Sequence, residues 1–214
     1  MTHVANIFNP LSRLSPLRRQ RFTLVAIALI FVAPMAVAWL LLARPGWQPS
    51  YTVNHGTLIR PPRPLSAVAL YRTDGAPLQA DYLRGKWTLL YIGSEACPGV
   101  CQRQLYNTRQ VRLAQGKNIG RVQRLLVLTG ATTESELHAI RTDHPDLTVV
   151  VSRAAGRAAF LQQFRLAGAT DPANAGQVYV IDPLGNLMMS YGPGASPSGM
   201  LKDLERLLKV SYVG

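Results

Sequence analysis

A run of 22 residues without a charged side chain, FTLVAIALIFVAPMAVAWLLLA at positions 22–43, constrains this chain more than any other feature. As a helix it would be about 33 Å long, enough to cross a hydrocarbon core of about 30 Å. Arginines precede the run and no acidic residue does. The positive-inside rule therefore predicts a cytoplasmic basic N-terminus at residues 1–21, a transmembrane helix at 22–43 and the rest of the chain outside.

A cleaved signal peptide is the alternative for this segment, because AVAWLLLA supplies small residues near its end. The apolar run is longer than the usual signal core of about 7–15 residues, and no clean A-x-A site closes it. These two observations favour a retained anchor. In a bacterium, the remaining chain would then face the periplasm, where thiols can be oxidised.

A net charge of +12 would suit a nucleic-acid-binding protein, but the positions of the charges indicate a different role. Residues 1–73 hold eight Lys or Arg and no acid, whereas residues 74–214 hold fifteen basic and eleven acidic residues. Much of the excess therefore surrounds the apolar segment, as membrane topology requires. The sequence also contains no RNA-binding signature and no zinc-finger spacing.

The chain after the apolar run divides by composition. Five prolines predict an extended tether at residues 44–66, and residues 67–214 form one predicted domain. Strands are predicted within 65–73, 85–93, 121–129 and 147–151, with a hairpin at 177–191 and helices within 98–116, 132–144, 158–168 and 198–209. This alternation predicts an α/β fold with a mixed sheet flanked by helices.

The segment YIGSEACPGVCQRQL contains the only two cysteines, Cys97 and Cys101, between a predicted strand and a predicted helix. This position narrows the fold class to thioredoxin-like. Pro98 suits the first helical turn, and the helix N-terminus favours the reactive thiolate of Cys97. One helical turn between the residues allows a disulfide after a small rearrangement, or two sulfurs on one Cu(I) ion. A purely structural bridge, contributing about 2 kcal/mol, is the alternative.

Two patches, GSEACPGVCQRQL and VYVIDPLGNL, lie behind a single N-terminal membrane helix and resemble the Sco/SenC family. VNHGTLIRPP and VRLAQGKNIGRVQRLLVLT are also similar to uncharacterised membrane proteins associated with cytochrome oxidase. The resemblance implies a membrane-anchored, thioredoxin-fold factor that assists copper-site assembly in cytochrome c oxidase. Cys97, Pro98 and Cys101 match the C-P-x-x-C pattern of that family.

The sequence departs from that family at the third copper ligand. The family's histidine lies five residues before the strand that here begins at Tyr179, and this position is Asn174. Of the four histidines, His3 precedes the membrane helix, and His55 on the tether is interpreted as a turn residue that could fold towards the site. The other two, His138 and His144, are interpreted as solvated. The sequence thus implies a divergent member that lacks the copper-ligand histidine.

The resemblance implies thiol–disulfide reduction, transient Cu(I) handling, or both, at the periplasmic face of the bacterial inner membrane. Cys97 would attack a disulfide of an oxidase subunit or assembly intermediate, and Cys101 would resolve the mixed disulfide. No cofactor is required, and Cu(I) is the candidate metal. A non-enzymatic scaffold with a structural disulfide and a general thiol oxidoreductase are the alternatives. Arg103, Arg109 and Arg112 are a candidate docking face, with a solvated helix face as the simpler interpretation.

Overall fold

The computed structural model describes residues 16–43, 53–79, 81–94, 97–168 and 171–211. The chain divides into two compact units, Met1–Thr52 and Val53–Gly214. The described part of the first unit is helix α1 (Pro16–Leu42). Its segment Leu17–Leu41 is long and apolar enough to cross a membrane, and it is the one such helix among the described residues.

Helix α1 begins at Pro16, whereas the sequence predicts a start at residue 22. Proline is favoured at the first helical position, and the arginines that follow are good helix formers. The flanking arginines are therefore part of the helix rather than of a separate segment. The rest of the predicted cytoplasmic N-terminus, with His3, and residues 44–52 of the predicted tether lie outside the described residues.

The described residues of the second unit form one seven-stranded sheet. Its strands are β1 (Thr57–Pro64), β2 (Leu70–Arg72), β3 (Trp87–Gly93), β4 (Val122–Leu128), β5 (Leu147–Ser152), β6 (Val178–Ile181) and β7 (Asn186–Tyr191). The spatial order is β1-β7-β6-β3-β4-β5-β2. The pairs β3–β4 and β4–β5 are parallel and the others are antiparallel. This is the predicted mixed sheet.

In the described part of the second unit, four α-helices cover the two faces of the sheet: α2 (Gly99–Leu113), α3 (Glu134–Asp143), α4 (Ala154–Gln163) and α5 (Pro197–Val210). A short 3₁₀ helix, Gly116–Arg121, follows α2. Strand β3 is buried throughout, and its side chains alternate between the cores on the two faces of the sheet. Leu89 and Tyr91 pack in the core that contains side chains of α2, α3 and α5, whereas Leu90 and Ile92 pack in the core that contains Phe160 of α4. Because side chains alternate along a strand, both faces need an apolar layer.

The prediction that residues 44–66 form a tether is wrong for residues 57–64, which form β1. This strand pairs antiparallel with β7, with Thr57 opposite Ser190 and Arg63 opposite Leu187. The register shifts between Leu58 and Arg63, where the prolines lie. Proline cannot donate to a sheet ladder and is tolerated on an edge strand or at a bulge. The Pro-rich composition therefore marks an edge strand.

The hairpin between β6 and β7 has the predicted turn. Asp182 Oδ1 accepts hydrogen bonds from the backbone N–H groups of Leu184 and Asn186, at 2.9 and 2.8 Å. Gly185 has a φ of 89°, a conformation that favours glycine over other residues. The turn residues thus set the pairing of β6 with β7.

Candidate functional site

The two cysteines are joined in a disulfide, with 5.0 Å between their Cα atoms. They lie just beyond the carboxyl end of β3, where α2 begins. Ligands and reactive groups of open α/β sheets gather at this edge, beyond the carboxyl ends of the parallel strands. The structure thus brings together the two residues that the sequence singles out.

The start of α2 differs from the prediction in one respect. Pro98 is the N-cap residue with an extended backbone, and the helix begins at Gly99. Cys97 therefore precedes the helix, while Cys101 lies in its first turn. No side chain among the described residues caps this helix, and its first turn contains no acidic residue. The unpaired N–H groups and the helix dipole favour a thiolate on Cys97 in the reduced chain.

The disulfide is buried, and one of its two residues borders a cleft. Cys101 is 1% exposed and Cys97 is 7% exposed. Cys97 lies in the wall of a cleft of about 320 Å³ between α2 and α3. The cleft is lined by Cys97, Pro98, Gln102, Leu105, Glu136, Ala139, Ile140, Asp143 and His144. Cys97 is thus the sulfur-bearing residue that a molecule in the cleft would meet.

Hydrogen bonds hold α2 against the loops at the same end of the sheet. Gln104 Nε2 donates to the carbonyl oxygens of Gly176 and Gly192, each at 3.3 Å. Gly176 precedes β6 and Gly192 follows β7. A Cβ on Gly176 would lie 3.0 Å from a methyl carbon of Val100, so this loop packs closely on the first turn of α2. These contacts therefore fix the position of the helix turn that carries Cys101.

The prediction that His144 is solvated is wrong. His144 caps the C-terminus of α3, is only 9% exposed and lines the same cleft as Cys97. Burial, followed by the charges of Arg124 and Arg109, lowers the pKa of His144. The sequence shows only a histidine before a proline after an amphipathic helix, and these neighbours do not indicate that the tertiary fold buries it. His138 is exposed on α3, as expected.

Asn174 is exposed at the same sheet edge, where it lines a groove with Ser94, which follows β3, and Thr129, which follows β4. No group of three or more His, Cys, Asp or Glu side chains among the described residues could hold a metal ion.

The predicted basic face on α2 is partly tied into the structure. Arg103 is exposed, but Arg112 donates to the carbonyl oxygen of Val122 at 2.8 Å and pairs with Asp146 at 3.3 Å. Arg112 fastens the end of α2 to the start of β4. Its side chain is therefore unavailable for a docking face without breaking these bonds.

A family model described as "Transmembrane-like, thioredoxin-like, C-terminal domain" matches residues 87–211, which is more than half of the chain. The chain belongs to this family. The match runs from β3 through α5, and so includes the disulfide and the cleft. No curated protein matches the sequence.

Solved structures with the same fold as this member of the transmembrane-like, thioredoxin-like family include Sco proteins. Copper-bound yeast Sco1 has a TM-score of 0.59 and 17% identity, covering 70% of this chain and 95% of that one. BsSco, whose structure is described as revealing a disulfide switch, has a TM-score of 0.54 and 10% identity, with coverages of 72% and 99%. A thiol:disulfide interchange protein from Bacteroides has a TM-score of 0.53 and 14% identity, covering 71% of this chain and 91% of that one. At these identities the likeness shows the fold, and the predicted thioredoxin-like fold is confirmed.

His55 lies outside the matched segment and is not an ordinary turn residue. Its Nδ1 is 3.0 Å from Asp203 Oδ1, and its backbone N–H donates to Asp203 Oδ2 at 2.7 Å. Asp203 Oδ2 also accepts from the N–H of Gly56 and the hydroxyl of Tyr191, each at 3.0 Å. A Cβ on Gly199 would come within 2.8 Å of the His55 side chain, so only glycine fits there. The cluster fastens the chain before β1 to α5.

Asp203 makes the stability of this family member depend on pH. Its side chain is 1% exposed. Burial alone would raise the pKa of Asp203, but hydrogen bonds from His55, Gly56 and Tyr191 outweigh burial and lower that pKa. A lowered pKa in the folded state adds stability above the unfolded value of about 3.9, and this stability is lost as the pH falls through the folded pKa.

Replacing Asp203 by asparagine is therefore expected to lower the free energy of unfolding at neutral pH by about 2–3 kcal/mol, because charge-assisted hydrogen bonds are lost. Chemical unfolding of the full chain at neutral and acidic pH measures this. The difference from wild type should shrink below about pH 4. Glu205→Gln, an exposed carboxylate on the same helix, is the matched control and should have little effect. A constant difference at all pH values would contradict the role of the charge.

Proposed function

We propose that this protein is a membrane-anchored, periplasm-facing thiol–disulfide exchange protein that supports copper-site assembly in cytochrome c oxidase. The observation that carries the proposal is the Cys97–Cys101 disulfide at the carboxyl edge of the sheet, with Cys97 in the wall of a cleft. A bridge across four residues constrains the unfolded chain little, so its stabilising effect is small. Redox chemistry is the better account of two cysteines at this place.

The exchange begins from the reduced chain, which an external protein dithiol would regenerate. Cys97, as a thiolate, attacks a disulfide of the partner, forming a mixed disulfide and releasing one partner sulfur as a thiolate. Cys101 then loses its proton and attacks the Cys97 sulfur, which releases the second partner thiolate. The dithiol is oxidised to the Cys97–Cys101 disulfide, and two electrons pass to the partner. The oxidised product is the state that the structure describes.

The proposed partner is a copper-binding subunit of the oxidase, or an assembly intermediate that contains it. Its copper-ligand cysteines must be reduced before they can bind copper. BsSco is described as a member of a family of cytochrome c oxidase assembly proteins with a disulfide switch, and the Bacteroides protein as a thiol:disulfide interchange protein. Both descriptions fit a fold in which a cysteine pair acts on another protein.

The proposed location is the bacterial inner membrane, with α1 as a single span and the N-terminus in the cytoplasm. Support comes from the length of the apolar segment and from Arg18, Arg19 and Arg21 at its start. In this orientation, the Cys97–Cys101 pair lies in the periplasm, where disulfides form and persist.

Copper, if handled, is a transient cargo in this proposal. The thiolates of Cys97 and Cys101 in the reduced chain suit Cu(I), which is soft and prefers sulfur ligands. Asn174 offers an amide oxygen in place of the family's imidazole, and an amide is a poor copper ligand. The two thiolates could still hold Cu(I), which accepts a low coordination number, whereas Cu(II) would bind poorly.

The full chain in detergent should transfer electrons from its reduced dithiol to a peptide that contains a disulfide between two cysteines. Thiol titration of both products measures the exchange, and a series of redox buffers gives the midpoint potential. We expect a potential above about −300 mV, because structural disulfides in secreted proteins lie below that value. A lower potential together with no exchange would overturn the proposal. One equivalent of Cu(I) that is displaced on oxidation would support the copper cargo.

The burial of Cys101 favours a second candidate, a non-enzymatic assembly scaffold whose disulfide is structural. In that case, the surface would bind an oxidase intermediate and the sulfurs would not react. The two functions differ in what happens when one cysteine is replaced.

A further inference from the structure

The imidazole of His144 is almost wholly buried beside the cleft that Cys97 borders. Its Nδ1 atom is buried and has no hydrogen-bond partner among the described residues. Its backbone is fixed, since the N–H donates to Ile140 and the carbonyl accepts from Leu147, each at 3.0 Å. An unpartnered polar atom in the interior destabilises the fold. Stability alone therefore does not account for a histidine here.

His144 and Cys97 line the same cleft from opposite walls. Cys97, Pro98 and Leu105 belong to the β3–α2 side, whereas Ile140 and His144 belong to the side of α3. The cleft volume of about 320 Å³ leaves room for a small molecule or a side chain between them. A partner disulfide that reaches Cys97 through this cleft would also meet the imidazole.

The surroundings of His144 keep its imidazole in the neutral form. Four charged groups act on it from the surrounding elements: Arg109 of α2, Arg124 of β4, Asp143 of α3 and Asp146 of the following loop. Burial and the two arginines outweigh the two carboxylates, so the pKa of His144 is lowered. Glu136 is the other acidic residue that lines the cleft. A neutral imidazole in the wall of this cleft is suited to general acid–base catalysis.

We propose that His144 transfers the proton during thiol–disulfide exchange at Cys97, an inference that rests on the proposed function. In the reduced chain, the imidazole takes the proton of the Cys97 thiol, directly or through one water molecule, as the thiolate attacks the partner disulfide. The partner S–S bond breaks and the Cys97–partner bond forms. The imidazolium then gives its proton to the departing partner thiolate. The proton balance closes, and His144 returns to its neutral form.

The test compares the full chain in detergent with its His144→Ala variant. Each is reduced with dithiothreitol, freed of it, and mixed with oxidised glutathione while thiol loss is followed across the pH range. We expect the variant to react about 100-fold more slowly at neutral pH, the lower end of general acid–base effects. Its rate should then rise with pH as the unassisted Cys97 thiol loses its proton to solvent. Free imidazole in the buffer should restore part of the rate.

His138→Ala is the matched control, because His138 is exposed on the same helix. It should react as fast as wild type. If His144→Ala does not fold, as judged by circular dichroism, His144→Gln keeps the size of the side chain and should show the same loss of rate. A purely structural role predicts slower exchange with an unchanged pH profile and no response to imidazole, and that result would overturn the inference.

The two proposals fail in different ways. If the reduced wild-type chain does not react with oxidised glutathione or with the disulfide peptide, the proposed function fails. If the wild-type chain reacts and the His144 variants match it at every pH, the proposed function stands and the role of His144 is wrong.

Discussion

Replacing Cys101 by serine is expected to trap the chain in a covalent complex with its partner. Cys97 can still attack a partner disulfide, but a serine hydroxyl cannot displace the partner from the resulting mixed disulfide. Cys101 is the only thiol available for that step, because the chain has two cysteines and these two are bonded to each other. The resolving step should therefore be lost completely. Non-reducing electrophoresis of membranes, followed by mass spectrometry of the shifted band, identifies the partner.

Cys97→Ser is the matched variant for the attacking sulfur. It removes the cysteine that borders the cleft and leaves one that is 1% exposed. We expect no covalent complex and a loss of disulfide reduction to background. Each single variant also loses the bridge, which lowers the free energy of unfolding by about 2 kcal/mol in the chain-entropy model. The amount of each variant in the membrane must therefore be measured beside its activity.

A scaffold would behave differently in the same experiment. Cells that produce either single variant, or the double variant, at normal levels would still assemble active oxidase if the sulfurs only brace the fold. That outcome would contradict the redox proposal and support the scaffold, which acts only through its surface. A covalent complex with Cys101→Ser, absent with the double variant, would exclude the scaffold as the whole function.

The sequence could predict those parts of the candidate site that depend only on residues adjacent in the chain. Cys97 and Cys101 follow a buried strand and open a helix, and these neighbours are adjacent in the chain. The capping box at the start of α3 is equally local, since Thr133 Oγ1 accepts the N–H of Glu136 three residues further along. The burial of His144 depends instead on residues far away in the chain, since it shares a cleft with Cys97 and Leu105. No pattern in the residues around His144 indicates those contacts, so its burial was not predictable.

The same distinction explains the fold. Consecutive residues determine the apolar run, the alternating strands and the hairpin turn. The structure accordingly contains α1, the central strands and the β6–β7 hairpin. Strand β1 was missed because its prolines indicate an extended tether, while its pairing partner β7 lies more than a hundred residues away. The sequence could not show the partner of His55 for the same reason, since Asp203 lies 148 positions further along the chain.

The second large expected effect is on the free energy of unfolding, and it comes from a buried arginine. The Arg124 side chain on β4 has no solvent exposure. Its Nη1 donates to Asp146 Oδ1 at 2.9 Å, its Nε donates to Thr108 Oγ1 at 3.2 Å, and its Nη2 donates to the carbonyl oxygen of Leu105. Burial lowers the pKa of Arg124, whereas Asp146 raises it. Arg124 therefore joins β4, α2 and the loop after α3 through one cation.

Replacing Asp146 by alanine is expected to lower the free energy of unfolding by about 3–5 kcal/mol, because it leaves a buried guanidinium without its counter-charge. Chemical unfolding of the full chain, followed by circular dichroism, measures the change. Asp143→Ala is the matched control, since Asp143 is an exposed carboxylate close by on α3. It should change the unfolding free energy by no more than about 0.5 kcal/mol.

The partner substitution should be milder, and this asymmetry tests the argument. Arg124→Met removes the buried charge and leaves Asp146, which is 21% exposed and still paired with Arg112. The double variant Arg124→Met, Asp146→Ala should then be more stable than Asp146→Ala alone, because no unpaired charge is left inside. Equal effects of the two single variants would mean that Arg124 reaches water in the folded chain. Because Arg124 bonds to Leu105 and Thr108 on the helix that carries Cys101, losing its counter-charge should also loosen the wall of the cleft and slow exchange at Cys97.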